Sequence, residues 1–203
     1  MNLANRITLL RMVFIPVFLV VLLGEIPAWI DAPTWWRTVQ PWAAAAIFAI
    51  LAATDAVDGY IARSRNQVTT FGKFIDPLAD KLLVTAALVA LVDLELLPSW
   101  IALVIISREL VVSGLRMVAV AEGRVIAASS GGKVKTVLQI AAIICFLLKD
   151  STLLQTFLGT NAALFQTVSW TVMGAAVAMT VWSMIDYFYH ARDILTGPWE
   201  RGS

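Results

Sequence analysis

Apolar residues run along this chain in long blocks, and short polar stretches separate one block from the next. The blocks fall at about 8–24, 41–62, 77–97, 99–121, 134–149 and 162–189. A helix needs about 20 apolar residues to cross a bilayer, and most blocks approach that length. The pattern therefore predicts an all-α integral membrane protein with six transmembrane helices. The last block exceeds one crossing, so its helix is expected to continue beyond the hydrocarbon and stop near Thr196-Gly197-Pro198. Residues 2–7 are expected as a short interfacial segment. The apolar block after Arg11 lacks a small-residue cleavage site and is read as a first membrane helix. No repeat or low-complexity tract divides the chain, so residues 1–203 are expected to form a single membrane domain.

Composition agrees: 60% of residues are hydrophobic and 14% charged, with a mean hydropathy of +0.82, the profile of a polytopic membrane protein. A net charge of +1 offers no broad basic surface, so no nucleic-acid partner is expected. The placement of basic residues says more than their sum. Arg6 and Arg11 flank the first block, Arg63, Arg65, Lys73 and Lys81 surround the second connection, and Arg116, Arg124, Lys133 and Lys135 the fourth. Arg192 and Arg201 follow the last block, while the opposite loops hold only Arg37 and Lys149 beside Asp31, Asp93, Glu95 and Asp150. The positive-inside rule then puts both termini in the cytoplasm of a multi-pass cell-membrane protein. Trp35, Trp36, Trp42 and Trp100 suit an outer aromatic belt, and Tyr187, Phe188 and Tyr189 an inner one. Cys145, the single cysteine, reads as a small core residue, and His190 as an interfacial one.

Against this apolar background, carboxylates stand at Asp55, Asp58, Asp76 and Asp80. Placing an ionisable group in the hydrocarbon costs at least about 2.5–3.5 kcal/mol on insertion scales, so such groups mark a functional site. Asp55 and Asp58 are three apart near the end of the second block, and Asp76 and Asp80 four apart at the start of the third. Each pair shares a helical face. The basic connection lets the two helices run antiparallel and bring the pairs together. Four carboxylates would repel one another unless a cation lay between them, and oxygen-rich sites of this kind suit Mg2+ or Mn2+. Two ions could stabilise both the attacking and the leaving oxygens of an in-line displacement. Gly59 and Gly72 permit close approach, Ala62 is small, and Arg63 can fork onto a phosphate.

The full pattern, Asp55-x-x-Asp58-Gly59-x-x-Ala62-Arg63 followed by Gly72-x-x-x-Asp76-x-x-x-Asp80, resembles the signature of the CDP-alcohol phosphatidyltransferases at every specified position. The resemblance implies that Asp55, Asp58 and Asp76 are metal ligands, and that Asp80 is the catalytic base and also touches metal. It implies a CDP moiety surrounded by Asp55, Asp58, Gly59, Ala62, Arg63 and Gly72, with Asn5 and Thr8 from the start of the chain. It further implies a lipid donor, CDP-diacylglycerol, drawn from the lipid bilayer, chemistry at the cytoplasmic leaflet, and a homodimer.

The acceptor depends on two later segments. Arg108 and Arg116 are eight apart on nearly one helical face, and Arg108 sits inside its apolar run. Glu109 is its candidate partner or a polar neighbour of the cavity. Lys133 and Lys135 open the fifth block, where free N–H groups and the positive helix end favour an anion. These four cations could hold the phosphate of an acceptor. The segments, with Asn5, Thr8, Arg11 and Pro16, look like those of bacterial family members whose acceptor is glycerol 3-phosphate, although the start reads Asn2-Leu-Ala-Asn5 without the proline often found there. The alternatives are phosphatidylglycerol or an inositol phosphate as acceptor, or a cation transporter using the carboxylates as an ion site.

Overall fold

The computed structural model describes residues 3–24, 34–64, 70–121 and 130–196, with the side chains of 9–24, 35–54, 81–119 and 134–189. Within these residues the protein is all-helical. The helices are α1 (Leu3–Leu23), α2 (Thr34–Ser64), α3 (Thr70–Asp93), α4 (Ser99–Ala121), α5 (Ser130–Leu148), the short α6 (Thr152–Leu158) and α7 (Ala162–Thr196), with a 3-10 turn at Gly159–Asn161 between the last two. Most begin or end beyond the apolar blocks, because helical hydrogen bonding continues past the residues that hydropathy selects. Residues from Leu3 onward, expected as a separate interfacial segment, belong to α1. The last helix ends at Thr196, at the expected stop.

The third helix ends at Asp93, earlier than the block suggested, and its terminus shows why. Glu95 adopts φ 57°, Leu96 N–H donates to Leu91 O at 2.9 Å, and Glu95 N–H to Val92 O at 3.0 Å. This is a Schellman end, in which a left-handed residue turns the chain back onto its last carbonyls. Leu96 then packs against the core that contains Leu91. Apolar character continues past the turn, so hydropathy alone did not reveal the stop.

The core runs through the bundle as one cluster. Phe18 of α1 meets Phe48 of α2 with ring centroids 5.7 Å apart, and Phe146 of α5 meets Trp170 of α7 edge-on at 4.9 Å. Small buried residues, among them Ala44, Ala87, Ala142, Ala176 and Ser169, let the helix backbones approach closely. Helix α1 packs against α2 and α3, α5 lies against α2 and α7, and α4 is held between α3 and α7.

The outward faces are apolar too: Val13, Val20, Ile50, Leu103, Leu110, Met117, Trp182 and Ile185 are all exposed. Hydroxyls on the helices turn inward to their own backbone. Thr54 donates to Ile50 O, Ser107 to Leu103 O, Thr167 to Ala163 O and Thr171 to Thr167 O, at 2.7–3.0 Å. Among the described residues one run, Thr152–Tyr189, is long and apolar enough to cross a membrane, with a mean hydropathy of 1.5. Leu9–Leu23 and Val134–Leu148 are shorter apolar helices. Helix α4 carries Arg108, Glu109 and Arg116 within its length.

Helix α1 ends at a tight junction. Gly24 has φ 33°, and the Gln40 side chain of α2 donates to Leu22 O at 3.0 Å, satisfying a carbonyl at the helix end. A Cβ on Gly24 would lie 2.1 Å from Gln40 Nε2. Gly24→Ala should therefore destabilise the protein by about 2 kcal/mol, combining left-handed strain with loss of the Gln40 hydrogen bond. Denaturant titration in detergent checks this, and Gln40→Ala should reproduce only the hydrogen-bond share. Wild-type stability in Gly24→Ala would contradict the close approach.

Candidate active site

The helices carry the signature residues in two groups. Asp55, Asp58, Gly59, Ala62 and Arg63 belong to α2, and Gly72, Asp76 and Asp80 to α3, a helix that packs against α2. The side chains of these eight lie outside the described residues, as do those of Asn5 and Thr8 in α1 and Lys133 in α5. Among the described residues no three His, Cys, Asp or Glu side chains form a metal-binding group.

The described part of the site is built where α4, α5 and α7 meet. Arg108 is 8% exposed and Lys135 is 2% exposed, so both cations are withdrawn from solvent. A buried charge is costly unless it is paired and hydrogen-bonded. Glu109 supplies the pairing: its Oε1 accepts from Arg108 Nη1 at 3.1 Å and also from Lys135 Nζ. Arg108 Nη2 donates to Ser183 Oγ of α7 at 2.6 Å. One carboxylate thus joins α4 to α5, and one arginine joins α4 to α7.

Counted over Arg108, Lys135 and Glu109 alone, two cations face one carboxylate. Lys81 of α3 also lies within electrostatic reach of Glu109. Arg108 Nε is buried and has no hydrogen-bond partner among the described residues, and the same is true of Gln139 Nε2 on α5 and the Tyr187 hydroxyl on α7. Buried donors without acceptors are uncommon in folded proteins. A positive cluster with an open N–H donor is suited to an anion rich in acceptor oxygens, and phosphate is such a group.

Arg116 takes a different position. It is exposed, and its guanidinium lies over the Tyr187 ring, 5.7 Å from the centroid. Eight residues of helix separate it from Arg108 by about 12 Å along the axis. Both arginines face α7, as their shared helical face suggested, but among the described residues it is Arg108 and Lys135 that meet at one carboxylate. Glu109 is the partner of Arg108 and, in addition, of Lys135.

Tyr187 requires a correction. It was expected in an interfacial belt, yet it is 6% exposed and packs with Val112 and Leu115. Its spacing explains the difference, since Ser183 and Tyr187 are one helical turn apart on the side of α7 that meets α4. Phe188 and Tyr189 are exposed, as are Trp35, Trp42 and Trp100. Ser183 escaped the sequence reading altogether. The only available hint was a polar residue four positions before an aromatic one inside a long apolar helix.

Comparison with known proteins extends this picture along the chain. A family model described as CDP-alcohol phosphatidyltransferase matches residues 1–182. The CDP-diacylglycerol–glycerol-3-phosphate 3-phosphatidyltransferase of Bacillus subtilis (strain 168) is 47% identical over 157 residues, covering 73% of this chain and 78% of that protein. A probable phosphatidylglycerophosphate synthase of Mycobacterium tuberculosis (strain ATCC 25618 / H37Rv) is 42% identical over 197 residues, 95% of this chain and 83% of the relative. The CDP-diacylglycerol–glycerol-3-phosphate 3-phosphatidyltransferase of Escherichia coli (strain K12) is 37% identical over 196 residues, 94% of this chain and 95% of the relative.

The ion cluster predicts a specific stability defect. Glu109→Gln removes the carboxylate that the buried Arg108 and Lys135 share, and should cost about 3–5 kcal/mol. Adding Lys135→Met should recover part of that loss, because the two positions share one interaction. Unfolding of the two variants in detergent measures both effects. Equal stability of wild type and Glu109→Gln would show that the carboxylate does not balance these cations.

Proposed function

The chain belongs to the CDP-alcohol phosphatidyltransferase family, and from that premise we propose that it transfers the phosphatidyl group of CDP-diacylglycerol to glycerol 3-phosphate, releasing phosphatidylglycerophosphate and CMP. The observation that carries the acceptor is the positive cluster of Arg108, Lys135 and Glu109 at the junction of three helices. The names of the relatives point to the same acceptor.

In the proposed reaction, a hydroxyl oxygen of glycerol 3-phosphate attacks the β-phosphorus of CDP-diacylglycerol. The bond from that phosphorus to the bridging oxygen breaks, and CMP leaves with the bonding electrons. Asp80 accepts the hydroxyl proton. Arg108 and Lys135 hold the acceptor phosphate, while Arg116 and Lys133 contribute positive potential from the same end of α4 and α5. Gly59, Ala62, Arg63 and Gly72, with Asn5 and Thr8, surround the cytidyl group. Mg2+ or Mn2+, as two ions held by Asp55, Asp58, Asp76 and Asp80, would neutralise the pyrophosphate and the leaving phosphate.

The same proposal gives the protein six spans, cytoplasmic termini, an active site at the cytoplasmic leaflet of the cell membrane, and a homodimeric assembly. Support for the bilayer comes from its outer surface. Apolar side chains face outward on α1, α2, α4 and α7, and helix hydroxyls bond to their own backbones, as hydrocarbon requires. Donor tails can then remain in lipid while the headgroup reacts at the membrane surface.

Turnover tests the acceptor. The purified protein in lipid–detergent micelles should release CMP from CDP-diacylglycerol with glycerol 3-phosphate, but not with glycerol, phosphatidylglycerol or inositol phosphate. Arg108→Ala should raise the KM for glycerol 3-phosphate about tenfold or more, the scale of a charge-assisted hydrogen bond, with donor KM little changed. Efficient use of unphosphorylated glycerol, or an unchanged acceptor KM in Arg108→Ala, would remove the phosphate pocket.

A second experiment addresses the aspartates. Chelation should silence the enzyme and added Mg2+ or Mn2+ restore it, and Asp55→Ala, Asp58→Ala or Asp76→Ala should each lose most turnover. Asp80→Asn should lower turnover about 10²–10⁴-fold, the scale of general-base catalysis, while donor binding survives. Full activity after exhaustive metal depletion, or near-wild-type rates in Asp80→Asn, would overturn the corresponding role.

A further inference from the structure

Arg108 presents five N–H donors in one plane, so the orientation of that plane decides which of them a ligand can reach. Two fixed contacts define it: Glu109 at Nη1, 3.1 Å, and Ser183 at Nη2, 2.6 Å. Glu109 is the adjacent residue of the same helix, and its Oε1 is shared with Lys135. The contact that ties the guanidinium to another helix is Ser183, which is itself 3% exposed.

Ser183 differs from the other buried serine and threonine of α7, Ser169 and Thr180. Ser169 donates to Phe165 O at 2.8 Å and Thr180 to Ala176 O at 2.7 Å, so both serve their own helix. The Ser183 hydroxyl instead accepts from an arginine 75 positions away in sequence. Its chemistry also matters. A second carboxylate at this place would cancel the positive charge and compete with a bound anion, whereas a neutral hydroxyl orients the guanidinium and leaves its charge intact. Arg108 Nε remains buried and without a partner among the described residues.

We infer that Ser183 is a positioning residue, which holds the Arg108 guanidinium from α7 so that its remaining N–H donors are turned to the acceptor phosphate. The inference rests on the proposed phosphate role of Arg108 and adds the element that aims it. Helix α7 thereby becomes part of the acceptor site without touching the acceptor through this residue.

The test compares Ser183→Ala, Ser183→Thr, Arg108→Ala and the double variant Arg108→Ala/Ser183→Ala, with initial rates measured against each substrate. Ser183→Ala should raise the KM for glycerol 3-phosphate about tenfold, with little change in kcat or in donor KM. Ser183→Thr keeps the hydroxyl and should restore most of the acceptor affinity. The double variant should be no worse than Arg108→Ala, because the serine acts through the arginine. If Arg108→Ala raises the acceptor KM while Ser183→Ala does not, the positioning role falls and the phosphate site stands. A Ser183→Ala defect confined to stability or kcat would likewise overturn it. If Arg108→Ala leaves the acceptor KM unchanged, the phosphate reading itself fails and this inference fails with it.

Discussion

The site is organised by the need to keep buried charge compensated between helices. Arg108 and Lys135 are both withdrawn from solvent, and Glu109 is the carboxylate that the two share. A cation of this kind cannot simply be replaced by an apolar side chain without undoing its partner's balance. The pairing links α4 to α5, and the Arg108–Ser183 hydrogen bond links α4 to α7. Helices α4, α5 and α7 meet at this one ionic cluster.

Around that cluster the bundle uses ordinary packing. Small residues bring α5 and α7 together, and larger ones, Phe146 and Trp170 among them, fill the remaining space. Helix ends are closed by local devices: Gln40 at the end of α1, the left-handed Glu95 after α3, and Ser151, whose side chain accepts from Leu154 N–H at the start of α6. Lys149 follows α5, where it pairs with Asp150 and lies 5.4 Å from the Phe146 ring centroid. A cation there also complements the negative end of the helix dipole. These contacts satisfy polar groups within the protein, which lets the outer surface remain apolar.

The division of labour proposed for the reaction follows the helices. The aspartate signature belongs to α2 and α3, and the positive cluster to α4, α5 and α7. Donor chemistry and acceptor recognition would then reside in different parts of the bundle. Changes in the α4–α5–α7 junction could alter the acceptor without disturbing the aspartates. Lys81 follows Asp80 in α3 and lies within electrostatic reach of Glu109.

The sequence by itself determined the helical class, most helix positions, the aspartate signature and the candidacy of Arg108 and Lys135, because hydrophobic blocks and short spacings are local properties. Even the end of α7 at Thr196 was legible, since glycine and proline follow it directly. The end of α3 was not, because a Schellman turn depends on backbone conformation and Leu96 continues the apolar run. Tertiary structure decided that Glu109 serves two cations, that Tyr187 is buried beneath Arg116, and that Ser183 receives Arg108. These contacts span 26 positions between Glu109 and Lys135 and 75 between Arg108 and Ser183. No local periodicity encodes such pairings; they arise only when helix packing brings buried charges close enough that each requires the other.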